Sequence, residues 1–132
     1  MHILGIDYGR KKIGLALADS ESDLAEPYRV IRFNLIEEAI KIIEKVVQVE
    51  QVGQVVVGIS EGKMAEETKN FGKKLRDKLG IPVTFQDETL TTQDAQRLSI
   101  EAGIKRKKRK NLEDAYSAAL ILQDYLNLKM GK

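Results

Sequence analysis

The segment from residue 3 to residue 18 constrains the fold of this chain most strongly. Two apolar runs, residues 3–6 and 13–18, have the length of β-strands and flank Gly9, three consecutive cations and Gly14. Glycines at such positions allow a sharp backbone turn or the close approach of a ligand, so a hairpin is predicted. Asp7 ends the first apolar run. A carboxylate near apolar surroundings is costly unless it is paired or holds a metal, so we interpret Asp7 as a metal-binding or phosphate-facing acid. The alternative is an aspartate that only caps the turn.

The composition narrows the chemistry that is open to the chain. Its 132 residues suit one domain, residues 1–132, and 42% hydrophobic with 32% charged residues is typical of a globular protein. Cysteine is absent and His2 is the one histidine, which excludes disulfides, zinc sites built on Cys or His, and most histidine catalysis. Carboxylates, hydroxyls, lysines and metal ions are therefore expected to perform any catalysis.

Location and charge point to a cytoplasmic protein with an anionic partner. The chain begins with a strand, and no apolar run approaches the length of a membrane span. The net charge of +2 is uninformative, but six consecutive cations stand out: Lys105, Arg106, Lys107, Lys108, Arg109 and Lys110. This basic run predicts nucleic-acid binding, and the alternative is a solvated loop.

The hydrophobic periodicity predicts an α/β fold. Beyond the hairpin it predicts strands over 27–33, 54–59 and 81–85 and helices over 35–49, 66–79, 91 or 92 to 103, and 112–128. Asn34 is the expected N-cap of the first helix, with Glu37 completing a capping box. This order predicts a mixed five-stranded sheet, three antiparallel strands followed by two parallel ones, with helices on both faces.

Three acids can converge in such a fold, namely Asp7, Glu88 after the last strand and Asp114 in the last helix. Clustered carboxylates repel one another unless cations neutralise them, and hard oxygen ligands suit Mg²⁺ or Mn²⁺. Two such ions about 4 Å apart activate water and stabilise the leaving oxygen in phosphodiester cleavage. The alternatives are that Glu88 only faces a helix N-terminus and that Asp114 is an ordinary first-turn acid.

Four segments, LGIDYGRKKIGLA (4–16), VVVG (55–58), DETLTT (87–92) and DAYSAALILQDYL (114–126), resemble the YqgF family. This bacterial family is described as Holliday junction resolvase and as pre-16S ribosomal RNA nuclease, and it has the ribonuclease H-like fold. The resemblance implies that Asp7, Glu88 and Asp114 occupy the acidic active-site positions, with a divalent metal. It also implies pre-rRNA or branched DNA as the partner and a link to ribosome assembly, as a monomer or homodimer.

Two segments depart from the family pattern. Thr89 stands where the family usually has Arg, and residues 58–62 read GISEG where the family usually has Gly-Leu-Pro followed by a polar, glycine-containing segment. The missing guanidinium leaves substrate class and catalytic rate open, because it would contact phosphate or stabilise transition-state charge. Glu61 in that loop is either a further ligand or, more ordinarily, a solvent-facing acid.

These observations predict a metal-dependent nuclease for structured nucleic acid. Asp7 would bridge the metals, while Arg10, Lys11, Lys12 and the basic run would bind phosphates. One alternative is a non-catalytic nucleic-acid-binding factor of ribosome assembly. Another is an actin-like nucleotide-binding domain, suggested by the spacing of Asp7, Gly9 and Gly14, although the chain lacks a second half to enclose the nucleotide.

Overall fold

The structure is a computed structural model that describes residues 1–22, 24–59, 62, 64–87 and 106–129, with side chains described from residue 113 onward in the last segment. Its elements, in chain order, are β1 (His2–Asp7), β2 (Lys12–Asp19), β3 (Glu26–Arg32), α1 (Ile36–Val49), β4 (Val52–Ile59), α2 (Met64–Leu79), β5 (Val83–Asp87) and α3 (Arg106–Lys129). The helix predicted over residues 91–103 lies outside the described residues.

The strands form one mixed sheet in the order β3-β2-β1-β4-β5. Strands β1, β2 and β3 are antiparallel neighbours, whereas β1, β4 and β5 run parallel. The predicted topology is thus confirmed, with β1 in the centre. Because β1, β4 and β5 are parallel, their carboxyl ends lie at one edge of the sheet, the edge at which ligands bind in open α/β folds.

One face of the sheet is covered by α1 and α2 through large side chains. Alternate residues of the strands, including Leu4 and Ile6, point into this core and are fully buried. Ile43 of α1 and Phe71 and Leu75 of α2 meet them. At about 25 cal/mol per Å² of buried apolar surface, this cluster supplies much of the driving force for folding.

The other face is covered by α3, which packs on small residues. A Cβ atom on Gly5 would lie 2.8 Å from Cβ of Leu122 and 3.0 Å from the carbonyl oxygen of Ala118, so the helix backbone rests almost on the strand. Ala16 and Ala18 continue this surface on β2. Leu122 lies over Gly5 and Asp114 over Gly14, the partner of Asp7 in the β-ladder, so α3 runs antiparallel to β1.

The start of α1 differs from the prediction by one residue. Leu35 is the N-cap, not Asn34, and its side chain makes no capping bond. The backbone N–H of Leu35 instead donates to Oε1 of Glu38 at 3.0 Å, so Glu38 has the part assigned to Glu37. A carboxylate in the third helical position is the one that reaches back to the cap N–H, and the later start of the helix moves that position by one residue.

The start of α3 was also predicted wrongly. The helix begins at Arg106 rather than at residue 112, so residues 106–110 of the basic run are helical and not a loop. Lysine and arginine are good helix formers, and the backbone continues in helical geometry beyond the apolar stripe that marks the buried part. Within the described residues, no helix is both long and apolar enough to cross a membrane.

Candidate active site

Asp7 lies at the carboxyl end of β1 on the face covered by α3. Side chains alternate along a strand, and Leu4 and Ile6 point into the opposite core. Gly5 contacts Leu122 of α3, and Asp7 shares the face of Gly5. Asp7 is half-buried and closes the strand at the edge where the parallel strands end. This position leaves the carboxylate partly accessible from solvent.

Gly14 brings Asp114 to the same place. It is the direct partner of Asp7 in the β1–β2 ladder, and a Cβ atom on it would overlap the backbone carbonyl oxygen of Asp114. The absence of a side chain at residue 14 therefore lets α3 settle on β2 beside the end of β1. Asp7 and Asp114, 107 residues apart in the sequence, flank one glycine.

Lys12 places a cation beside these acids. Its Nζ lies 3.4 Å from Oδ2 of Asp114, and the two side chains are 48% and 32% exposed. An ion pair this exposed stabilises the fold by less than about 1 kcal/mol. Its consequence is positional, because it holds an ammonium group at the acidic edge. Asp114 itself lies about two turns inside α3, which has no acid in its first turn, so the first-turn interpretation of Asp114 is wrong.

A second polar cluster lies on the opposite face, where Tyr8 follows Asp7. The Tyr8 hydroxyl donates to Oε1 of Glu67 at 2.9 Å, and Nε of Arg10 donates to Oε2 of the same carboxylate at 3.0 Å. The Tyr8 ring packs on Phe71 with 4.5 Å between ring centroids. These contacts attach the first turn of α2 to the β1–β2 hairpin, and they pair Arg10, a predicted phosphate ligand, with an acid.

The same cluster shifts two ionisation equilibria. Burial, together with the hydrogen bond to Glu67 and the charge of that carboxylate, raises the pKa of Tyr8 from 10.0 to about 12. The hydrogen bonds from Tyr8 and Arg10 lower the pKa of Glu67 below its ordinary value. At neutral pH the cluster is therefore a neutral phenol and a guanidinium on one carboxylate.

Some of the other predicted site residues lie in the described part of the chain, and others lie outside it. Lys11 is exposed on the hairpin. Glu88, Thr89 and Lys105 lie outside the described residues, and Arg106–Lys110 belong to the first turns of α3. Because α3 runs antiparallel to β1, these turns extend past the edge of the sheet that carries Asp7. The basic segment therefore forms the end of α3 that lies toward the Asp7 edge.

Two residues near this edge escaped the sequence analysis. Glu67 pairs with Tyr8 and Arg10 across more than 50 residues, and no local pattern signals such a contact. Arg32 is the cross-strand partner of Lys12 in the β2–β3 ladder. Arg32 lies opposite Lys12 because of the register between β2 and β3. That register depends on how the chain crosses from one strand to the other.

The donor set suits a hard cation. In the part of the chain that the structure describes, no group of three or more acids or histidines could by itself hold a metal ion. Asp7 and Asp114 are the described carboxylates on the α3 face of this edge, and the predicted third ligand, Glu88, lies outside that part. Carboxylate oxygens without sulfur or imidazole favour Mg²⁺ or Mn²⁺ over zinc.

Comparisons with known proteins decide the family. The family model "RuvX: Holliday junction resolvase" matches residues 1–128. The chain belongs to this family. A RuvX relative from Caldanaerobacter subterraneus subsp. tengcongensis, named "Putative pre-16S rRNA nuclease", is 42% identical over 96% of both chains. Another of the same name from Halothermothrix orenii is 38% identical over 96% of this chain and 95% of the relative.

Solved structures agree with this membership at the level of the fold. Thermus thermophilus RuvC in complex with a Holliday junction substrate superposes with a TM-score of 0.66 at 18% identity, covering 99% of this chain and 97% of that one. The fowlpox virus Holliday junction resolvase reaches 0.63 at 13% identity, covering 98% and 99%. The predicted family, the ribonuclease H-like fold and the class of phosphodiester-cleaving nuclease are therefore confirmed.

Proposed function

We propose that this RuvX protein is a divalent-metal-dependent nuclease whose catalytic and metal-binding acids are Asp7, Glu88 and Asp114. The observation that carries the proposal is the close contact between the backbone of Asp114 and Gly14, the ladder partner of Asp7. Two acids distant in sequence are thereby held at the ligand-binding edge of the sheet. Glu88 follows β5 directly, and β5 is parallel to β1, so it is the acid best placed in the chain to join them.

Mg²⁺ or Mn²⁺ held by these carboxylates would supply an activated water molecule and stabilise the leaving oxygen of the phosphodiester. The described residues prepare for that charge in two ways. Asp7 and Asp114 bring two negative groups to one edge of the sheet, and Gly14, which has no side chain, allows α3 to lie close to β2. The chain has no cysteine, and its one histidine, His2, lies at the other end of β1, so no thiolate or imidazole is available as a ligand at this edge.

The cations around the acids support a role in binding phosphates. Lys12 lies at the acidic edge, Lys11 is exposed beside it, and the first turns of α3 carry the basic run. Cations in the first turn oppose the helix dipole, so an approaching polyanion would relieve an unfavourable arrangement. Arg10 joins this set at the hairpin, although Glu67 already neutralises part of its charge.

Structured RNA is the substrate class that we place first. The relatives named for pre-16S rRNA share up to 42% identity with this chain, whereas the structure with a DNA junction shares 18%. We accordingly propose action on a precursor of 16S ribosomal RNA by a single-domain cytoplasmic enzyme that works with the ribosome-assembly machinery, as a monomer or homodimer. The family description keeps a four-way DNA junction as the second candidate.

The deciding experiment is cleavage of two labelled substrates, a precursor 16S rRNA end and a four-way DNA junction, with Mg²⁺ or Mn²⁺. Cleavage should disappear on chelation and fall at least about 100-fold in Asp7→Asn, because a metal-binding charge is lost. Asp19→Asn is the matched control. Asp19 is the exposed aspartate at the end of β2, level with His2 at the opposite edge, and cleavage by that variant should equal wild type.

Full cleavage by a folded Asp7→Asn variant would overturn the assignment of the acids. Tight binding of both substrates without cleavage in either metal would favour the non-catalytic assembly factor. In that case Thr89→Arg, which restores the residue typical of the family, becomes the informative variant. A gain of cleavage in it would show that the missing guanidinium had silenced the site.

A further inference from the structure

The edge strand β3 carries an arginine directly opposite Lys12. The β2–β3 ladder pairs Lys12 with Arg32, and opposed side chains in such a pair have Cβ atoms about 5 Å apart. Ile31, the preceding residue, is buried in the core under α1 and α2. Strand alternation therefore places Arg32 on the other face, which is the face of Asp7 and Asp114. Its side chain is exposed.

Arg32 differs from the neighbouring cations in having no acidic partner among the described residues. Arg10 is paired with Glu67 and Lys12 with Asp114. No ion pair or side-chain hydrogen bond joins Arg32 to any side chain of the described ranges, which stop at residue 87 and resume at residue 113. A guanidinium with five free donors in a planar fork suits a phosphate group, which it can bind through two parallel hydrogen bonds.

The sheet geometry gives the distance from the acids. Arg32 is two strands from β1 and two residues beyond the level of Asp7, because Gly14 pairs with Asp7 and Lys12 with Arg32. With strands about 4.8 Å apart and about 3.4 Å per residue, the two Cα atoms are roughly 12 Å apart. The guanidinium is thus too remote to contact the phosphodiester that lies at the acids. It can only contact the substrate farther along the nucleic-acid strand.

We infer that Arg32 binds a backbone phosphate of the substrate, a few nucleotides from the bond that is cut. The nucleic-acid strand then runs from the acids past Lys12 to the open edge of the sheet at β3. This inference rests on the proposed nuclease function and deepens it, because it assigns a binding residue outside the segments that resemble the family. Arg32 contributes to binding and not to the chemical step.

The same strand provides a matched control. Arg29 is an exposed arginine three residues earlier in β3, and its ladder partner is Leu15, which is buried in the core under α1 and α2. Arg29 therefore lies on the opposite face of the sheet from Arg32. Replacing either residue by glutamine removes one positive charge from the same edge strand, so a general charge effect would be equal in the two variants.

The test measures binding by fluorescence anisotropy on the Asp7→Asn background, with the precursor rRNA end and the four-way DNA junction as probes. Arg32→Gln should weaken binding about 3- to 10-fold and reduce the slope of log K against log salt by about 1. Arg29→Gln should stay within about twofold of the background with the slope unchanged. Arg32→Lys should keep the slope, because it keeps the charge.

The outcomes separate this inference from the function on which it rests. Wild-type cleavage with equal binding by Arg32→Gln and Arg29→Gln would overturn the role of Arg32 and leave the nuclease intact. Absence of both binding and cleavage in the wild type would overturn both. Equal melting temperatures of the two glutamine variants exclude unfolding as the cause of weak binding. If Arg32→Gln alone melts at a lower temperature, Arg32→Lys decides, because it keeps the charge and should bind more tightly than Arg32→Gln.

Discussion

The two faces of the sheet are built in different ways. Under α1 and α2, large side chains such as Ile43, Phe71 and Leu75 fill the space between helix and strand. Under α3, Gly5 and Gly14 leave almost no space, so the helix backbone lies directly on the sheet. Large side chains let a helix adjust its height by repacking, whereas backbone contact does not. The α3 face is therefore the one suited to hold a reactive carboxylate in place.

The two faces of the sheet also differ in their charged residues where β1 ends and the hairpin begins. Asp7, the last residue of β1, and Tyr8, which follows it, lie on opposite faces, and the hairpin supplies a cation to each. Arg10 binds Glu67 beside Tyr8, while Lys12 binds Asp114 near Asp7. On the α2 side, one carboxylate has both a phenol and a guanidinium, and that cluster is structural. On the α3 side, two carboxylates lie at the same edge of the sheet, which is the arrangement that a divalent cation would use.

Two leucines offer the largest test of this contrast. Leu75 of α2 and Leu122 of α3 are both fully buried, and each change to alanine should lower the free energy of unfolding by about 2–5 kcal/mol. Only Leu122→Ala should also reduce cleavage by the folded protein, by at least about 10-fold, because it loosens the helix that carries Asp114. Denaturant unfolding and cleavage rates at low temperature measure the two effects.

The Leu75→Ala variant is the control in that pair, since it should keep the wild-type cleavage rate per folded molecule. Equal losses of cleavage in both variants would contradict the view that packing under α3 positions Asp114 whereas packing under α1 and α2 only stabilises the fold. The same result would indicate that general stability, not the position of α3, limits the activity.

Substitution of two glycines should have a smaller effect on stability, and it tests the contact between α3 and β2 more directly. A Cβ atom on Gly14 would overlap the carbonyl oxygen of Asp114, and one on Gly72 of α2 would lie 2.5 Å from the Phe85 ring. Gly14→Ala should push α3 away and cost about 1–3 kcal/mol of stability together with most of the cleavage. In Gly72→Ala the ring can move, and the gain of up to about 1 kcal/mol in helix propensity offsets the cost.

Thermal unfolding and single-turnover cleavage of the two alanine variants check this prediction. Cleavage by Gly72→Ala should match wild type. If Gly14→Ala also cleaves at the wild-type rate, close contact between α3 and β2 is not what positions Asp114, and the Asp114 assignment loses its main support.

The smallest effect concerns pH and lies on the α2 side alone. The pKa of Tyr8 is about 12 in the folded protein against 10.0 in the unfolded chain, so the native state holds the proton more tightly. The resulting stabilisation is complete below pH 10 and is lost as the pH rises from about 10 through 12. The near-ultraviolet absorbance of tyrosinate should lose one late titration in Tyr8→Phe, while that of Tyr28, whose pKa is also raised by burial and by its hydrogen bond to Glu50, should remain.

Glu67→Gln should lower the pKa of Tyr8 toward 10.0, because it removes the carboxylate that stabilises the protonated phenol. The pKa of Glu67 is itself depressed, so its stabilisation is present above the ordinary carboxyl pKa and lost as the pH falls through the lower folded value. An unchanged Tyr8 titration in Glu67→Gln would mean that burial alone raises that pKa.

Much of the architecture was predictable because its signals are local. Apolar residues recur at helical spacing along α1 and continuously along β4, and the order of the elements then leaves few topologies. The errors occurred where a local signal competed with another. The apolar stripe predicts a last helix that begins at residue 112, whereas the chain is helical from Arg106 onward. Asn34 is a good cap by residue type, but α1 begins one residue later than that preference requires.

The sequence by itself determined the sheet and its two covered faces, because burial of apolar surface follows the period of the pattern. Only the tertiary structure decided how the charges are distributed around the candidate active site. Lys12 with Asp114, Arg10 with Glu67 and Arg32 opposite Lys12 depend on strand register and on the height of α3 above Gly14. Exposed pairs of this kind contribute little free energy, so no sequence pattern marks them, and they form where backbone packing brings the chains together.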